Sequence, residues 1–253
     1  MFKLALISAN GGVGKTALTA QLASLLARRG RPVLALDFDP NNLLGLHFGL
    51  TPDETDGIAP RAIKREPWQD AAFSSTDGVR FLPFGDVNES QRAEFGDQLS
   101  ADAGWLRKRL DAVAMPQHAI ALIDTPRLPS RYSQQAVAAA DMILTVVAAD
   151  TSCYAKLPAV HRQLRDAGKE SIAYYVVNFA DAARRLHNDV IAVMRLDLGE
   201  RLLPYFIHHD EAVPEALASN SALADYAPHG QATHDLQGLA NWLIERLPVA
   251  AAA

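Results

Sequence analysis

Ala9-Asn10-Gly11-Gly12-Val13-Gly14-Lys15-Thr16 joins an apolar run, Leu4 to Ser8, to a helical pattern in which Leu18, Leu22, Leu25 and Leu26 share one face. A strand that turns through glycines into a helix is a phosphate-binding arrangement. The glycines let successive backbone N–H groups curl around an anion, the helix N-terminus adds its positive dipole, and Lys15 can reach the β- and γ-phosphates. Thr16 offers its hydroxyl to Mg²⁺. Ala9 stands where the strict pattern has its first glycine, but the Gly-Gly-Val-Gly-Lys-Thr core is intact. Asn10, Gly11, Gly12, Val13, Gly14, Lys15, Thr16 and Ala17 are therefore candidate nucleotide-binding residues, with ATP and Mg²⁺ the expected ligands.

Outward from this loop, apolar runs of strand length recur at Val33 to Leu36, Val79 to Leu82, Ala119 to Ile123, Met142 to Val147, Ile172 to Val177 and Leu203 to Ile207. Such runs suit strands buried on both faces. Helical patterns lie between them, carried by Leu106, Leu110 and Val113, by Leu157, Val160 and Leu164, and by Leu236, Leu239, Leu243 and Leu247. The alternation predicts an α/β fold: a mostly parallel, twisted sheet of about seven or eight strands with helices on both faces. A chain of 253 residues fits one such domain, residues 1–253. Thr51 to Thr76, rich in Pro, Asp, Gly and Ser, reads as a surface excursion with short helical possibilities around Ala62 and Trp68. Phe84 to Ser100 reads as a polar loop and residues 248–253 as a frayed tail.

Two further elements accompany the loop. Asp37-Phe38-Asp39 places carboxylates on alternate residues, which point the same way in an extended segment. At a strand end beside the loop they can organise Mg²⁺ and its water and orient an attacking water. Ile120-Ala121-Leu122-Ile123-Asp124 is an apolar strand ending in a lone carboxylate, suited to supporting Mg²⁺ directly or through water.

Composition narrows the function classes. The net charge of -5 disfavours a generally basic nucleic-acid binder. Cys153 is the only cysteine, so the chain forms no internal disulfide and cannot supply a multi-cysteine metal site. No apolar stretch approaches the roughly 20 residues of a membrane-spanning helix. A reduced, cytoplasmic compartment is the natural expectation.

These motifs resemble the deviant-Walker P-loop ATPases, the MinD/ParA class, over nearly the whole chain. The resemblance implies a P-loop NTPase fold and a homodimer across bound ATP. It further implies Lys15 and Asp39 in catalytic roles, Asp39 positioning the hydrolytic water, and Thr16, Asp37 and Asp124 around Mg²⁺. Asn178, ending the run Tyr175-Val176-Val177, looks like the adenine-contacting asparagine of the class. The segment from Pro204 to Ala212 looks like its late strand and loop near the base, with Pro204 a further candidate contact. In the class the loop begins with a lysine that reaches the partner's phosphates, and here that position is Asn10. An amide carries no charge, and a cation supplied in trans is worth roughly 10³ to 10⁵ in rate. Slow or absent hydrolysis with MgATP binding retained is the expectation, unless Arg127, Arg131 or a partner protein supplies the charge.

Within the class, Asp39-Pro40-Asn41-Asn42-Leu43-Leu44, Phe81-Leu82-Pro83-Phe84-Gly85 and Arg201-Leu202-Leu203-Pro204 are similar to the BcsQ (YhjQ) family encoded with bacterial cellulose synthase. That similarity implies a switch or scaffold of the cellulose synthesis and secretion machinery, with small cytoplasmic Bcs proteins as partners. It implies a location peripheral to the inner membrane through those partners, without direct insertion. The main rival is a ParA-like partitioning ATPase that binds DNA and hydrolyses ATP with a partner. It needs a basic surface, for which Arg184, Arg185 and Arg201 are the candidates. A metal site at His208 and His209 is awkward, because adjacent strand residues face opposite ways.

Overall fold

Unbroken apolar runs leave a strand no solvent face, and all five residues of β2 (Val33–Asp37) and of β5 (Ile120–Asp124) are buried. These two strands and β1 (Phe2–Ile7) form the centre of one sheet, covered on both sides. The computed structural model describes residues 1–248. The sheet is completed by β3 (Phe73–Ser74), β4 (Arg80–Leu82), β6 (Met142–Ala148), β7 (Ala173–Ala180) and β8 (Leu202–His208). Its order is β3-β4-β2-β5-β1-β6-β7-β8. Every pairing is parallel except β3 with β4. This is the expected α/β sheet, with one short antiparallel edge strand that has too few residues to show a pattern in sequence.

The helices are α1 (Lys15–Arg28), α2 (Ile58–Lys64), α3 (Glu89–Ala101), α4 (Trp105–Asp111), α5 (Arg131–Ala139), α6 (Thr151–Asp166), α7 (Arg185–Leu198), α8 (Ala212–Ala218), α9 (Leu223–Tyr226) and α10 (Gln231–Ile244). One loop expectation is refined and one is corrected. The excursion Thr51 to Thr76 carries α2 over Ala62 and a 3₁₀ turn at Trp68–Ala71, where short helices are expected, and adds the strand β3. The supposed polar loop Phe84 to Ser100 is largely α3. That helix buries only Phe95, Gly96 and Leu99, so its apolar stripe is too thin to stand out. A reciprocal cap starts it: Asn88 accepts from the Gln91 backbone while the Gln91 side chain accepts from the Asn88 backbone. The expected tail at residues 248–253 lies, apart from Pro248, outside the described residues.

The carboxyl ends of β1, β2 and β5 lie side by side. Asp37 pairs in register with Asp124, and Leu6 with Asp124 on the other side. An aromatic cluster fixes the chain just beyond β2: Phe38 is fully buried and stacks on Trp105 at 6.3 Å, with Tyr132 edge-on at 5.6 Å. With Phe38 anchored on that side, its neighbours Asp37 and Asp39 turn toward the glycine loop. Among the described residues no helix is long and apolar enough to cross a membrane.

Candidate nucleotide site

The glycine loop leaves β1 and feeds α1 through Gly14, which caps the helix in the left-handed conformation (φ 78). No side chain caps this helix and its first turn holds no acidic residue. The N–H groups of the first turn therefore face a cavity as an anion site. That cavity, of about 450 Å³, is lined by the loop from Asn10 to Ala17 together with Asp39, Asn41, Pro126 and Arg127. A second cavity of about 350 Å³, mostly apolar, shares Gly14 and Ala17 with the first. A polar and an apolar chamber meeting at the start of one helix match the two halves of a nucleotide, phosphates in one and base in the other.

In the phosphate chamber Lys15 is buried and its Nζ lies 3.0 Å from Asp124 Oδ1. Thr16 Oγ1 donates to the other oxygen of Asp124 at 2.6 Å. Lys15, Thr16 and Asp124 are thus brought together. Asp37 is also close, but both of its oxygens accept backbone N–H groups, from Asp39 at 3.1 Å and Leu44 at 2.8 Å. Burial, reinforced by the neighbouring Asp124 charge, holds the Asp37 carboxyl well above the ordinary range. Asp39, partly exposed at the cavity wall, is raised as well, mainly by burial. Buried acids crowded this way favour a divalent cation that offsets their repulsion. Thr16 and Asp124 would hold Mg²⁺ directly or through water, with Asp37 behind them. No cluster of three His, Cys, Asp or Glu suited to a metal occurs among the described residues, so phosphate and water oxygens would complete the shell.

Asn10 lines the cavity and is tied to α6. Its Nδ2 donates to Ser152 Oγ at 2.8 Å, and Ser152 donates to Asp150, which caps α6. Lys156, one turn into α6, reaches the Ala9 carbonyl at 3.4 Å, a cation beside the loop that sequence reading did not single out. Of the other charge candidates, Arg127 lines the phosphate cavity, whereas Arg131 is committed to Asp97 at 2.8 Å.

Asn178 lines the apolar chamber, with its amide donating to the Val13 carbonyl at 2.8 Å and so tying β7 to the loop. Pro204 is not brought to the chamber. It is exposed within β8, and the proline on the wall is Pro214 of α8. The reason is position: the strand continues four residues past Pro204, and only its last two residues, Ile207 and His208, with His209 and Asp210 just beyond it, reach the site. His208 and His209 both line the chamber but turn to different partners, Asp235 at 2.8 Å and the Phe179 ring at 5.7 Å. Phe179 and His47 also line it. Phe179 adopts φ 56, unusual for an aromatic residue, and lies against Gly14. Only its place directly after Asn178 could have drawn attention to it in sequence.

A family model described as cellulose biosynthesis protein BcsQ matches residues 1–244. The chain is 32% identical to the cellulose biosynthesis protein BcsQ of Salmonella typhimurium over 242 residues, 95% of this chain and 93% of that protein. It is 26% identical to the chromosome-partitioning ATPase Soj of Thermus thermophilus over 97% of this chain and 96% of Soj. Among solved structures, MinD with Mg-ADP from Pyrococcus horikoshii superposes with a TM-score of 0.81 at 22% identity, covering 100% of this chain and 99% of that one. The ATP complex of a McdA variant from Cyanothece gives 0.78 at 21%, over 100% and 99%. The fold is that of the MinD/ParA-type P-loop ATPases, and with the family match spanning nearly its whole length the chain belongs to the cellulose biosynthesis protein BcsQ family.

Proposed function

We propose that this chain binds MgATP in the paired chambers and serves as a nucleotide-dependent dimeric switch or scaffold of the bacterial cellulose synthesis and secretion machinery, with slow or no intrinsic hydrolysis. The observation that carries the reading is the phosphate chamber itself, in which Lys15, Thr16 and Asp124 converge at an uncapped helix start while Asn10 stands bonded to Ser152. The first three suffice to hold a triphosphate. The fourth removes the cation that speeds its cleavage. The dimer closes across bound ATP, so that nucleotide stabilises it by linkage. Lys156 and Arg127, at the rim of the loop, are the cations available to a partner's phosphates. Small cytoplasmic Bcs proteins are the partners, and they hold the dimer at the inner membrane from the cytoplasmic side. A DNA-partitioning role has less support: Arg184 and Arg185 each face an aspartate, Asp181 and Asp189, on an exposed helix start.

The test is the mass of the purified protein by light scattering, with bound nucleotide extracted and identified, for wild type and for a Lys15→Ala variant of unchanged circular dichroism. The expected result is an ATP-loaded dimer that the substitution converts to an empty monomer. A wild-type monomer that stays empty in excess MgATP would sink the reading.

A further inference from the structure

α7 carries two apolar stripes where a surface helix needs one. Val190, Met194 and Leu198 are buried against the rest of the domain. Leu186, Val193 and Leu196 form a second stripe, spaced by seven and then three residues, and are 57%, 40% and 84% exposed. They are three of the five large hydrophobic side chains that stand exposed among the described residues. Single exposed apolar residues are ordinary on any surface, but an aligned set on one helix marks a contact face.

The charges of this helix run against its own dipole. Arg184, at the cap, and Arg185 stand at the N-terminus, where the dipole is positive, and the first turn holds no acidic residue. Asp197 and Glu200 stand exposed at and just past the C-terminus, where it is negative. Arg195, the basic residue of the last turn, is placed over the Phe206 ring at 5.3 Å. Asp181 and Asp189 meet Arg184 and Arg185 at 3.0 and 3.7 Å, but only as solvent-exposed pairs, which contribute little. A second α7 laid antiparallel along the stripe brings acids to the basic end and arginines to the acidic end at once, and opposes the two dipoles. A parallel copy would set like charge against like.

We propose that the exposed stripe of α7 is an interface for a second copy of this chain, the two helices packed antiparallel about a two-fold axis with Leu186 of each copy against Leu196 of the other. One patch then serves both partners, as a two-fold contact requires. α7 starts at the end of the sheet where β7 finishes, the end that also holds the glycine loop and both chambers. Antiparallel packing therefore points the two nucleotide faces in opposite directions and leaves them free. The contact does not rest on the nucleotide reading, and where a copy uses both faces the result is an open chain of copies rather than a closed pair. A stripe of three side chains gives a weak association, with a dissociation constant of about 0.1 to 1 mM.

Sedimentation equilibrium of the full chain, with nucleotide removed by chelation and dialysis, reads this contact alone. The average mass of wild type should rise from monomer toward dimer between about 10 μM and about 1 mM. Leu196→Glu, at a position the core does not use, should weaken the association at least about tenfold with an unchanged melting temperature. Arg184→Glu combined with Arg185→Glu makes both ends of α7 acidic, and Asp197→Lys combined with Glu200→Lys makes both ends basic. Each of these double variants should fail to associate alone, and the two should associate with each other when mixed. Wild type that stays monomeric at about 1 mM, association that survives Leu196→Glu, or a mixture that does not recover would overturn the proposal. Because nucleotide is absent throughout, none of these outcomes bears on whether the chain binds MgATP.

Discussion

Lys15 Nζ stands 3.0 Å from Asp124 Oδ1 in a pair whose side chains are 8% and 1% exposed. The ammonium that would meet a triphosphate is therefore engaged by the carboxylate that would support Mg²⁺, and phosphate oxygens compete with Asp124 for it. Removing one member of so buried a pair leaves the other charge uncompensated, with Asp37 beside it. Lys15→Ala is expected to cost about 3 kcal/mol of stability in the nucleotide-free protein, read from urea denaturation. A loss under about 1 kcal/mol would show that the pair is not formed in solution.

Asn10 governs turnover in the proposed reading. Its amide nitrogen is spent on Ser152 and, through it, on the Asp150 cap of α6, and the side chain carries no charge. Asn10→Lys places a cation at that position. Steady-state phosphate release should rise at least about tenfold, a fraction of what a cation in trans can supply. Rapid wild-type turnover with no gain in the variant would contradict the slow-switch assignment.

Gly14 and Gly11 sit three residues apart and should respond differently to the same methyl group. A Cβ at Gly14 would collide with the Asn178 amide nitrogen, lie 2.9 Å from Phe179 Cζ and be carried on a backbone at φ +78. One at Gly11 would meet nothing within 4 Å. Gly14→Ala should destabilise the protein by about 2 kcal/mol or more, through strain and collision together. Gly11→Ala should stay within about 0.5 kcal/mol. Thermal denaturation of the pair distinguishes the two, and equal losses would contradict the contact between β7 and the loop.

The features legible in sequence were those whose cause is local. The glycine loop, the buried runs and the strand-end acids Asp37 and Asp124 announce themselves through composition and spacing, and the fold places them together. What escaped depends on tertiary neighbours. α3 has a polar surface and few buried residues, and its Asn88 to Gln91 cap was the one local sign of it. The His208 and Asp235 pair spans 27 positions, Lys156 meets the loop from 147 positions away, and Pro204 falls short because the strand outlasts it. No periodicity encodes such distances.

His47 brings a pH dependence. It lies on the wall of the apolar chamber, and burial pushes its imidazole below the ordinary value of 6.5, against the opposing pull of Asp124. Below that value the unfolded chain takes up a proton that the folded chain refuses, so stability falls as pH drops through 6.5 toward the folded pKa and is fully present above it. Asp37, raised by burial, acts in the opposite sense, binding its proton in the folded state first. The contribution of His47 is therefore isolated by difference. Between about pH 8 and pH 5, wild type should lose more stability than His47→Gln. Parallel curves for the two proteins would show that the imidazole is not held neutral by the fold.

Cys153 sets two effects against each other. It sits in the first turn of α6, where the helix dipole lowers a thiol, yet it is 4% exposed and the Asp150 charge lies beside it. Burial wins: the thiol is pushed up to about 11, the Asp150 charge adding to the rise and the Ala148 amide opposing it. At pH 8 only about a thousandth of such a thiol is ionised, and what is ionised is covered. An aromatic disulfide reagent at that pH should leave the folded protein unmodified over the time in which a free thiol is consumed, and should titrate one thiol after denaturation. Reaction of the folded protein at the free-thiol rate would mean that the first turn of α6 opens, and with it the bond between Ser152 and Asn10 that anchors the glycine loop.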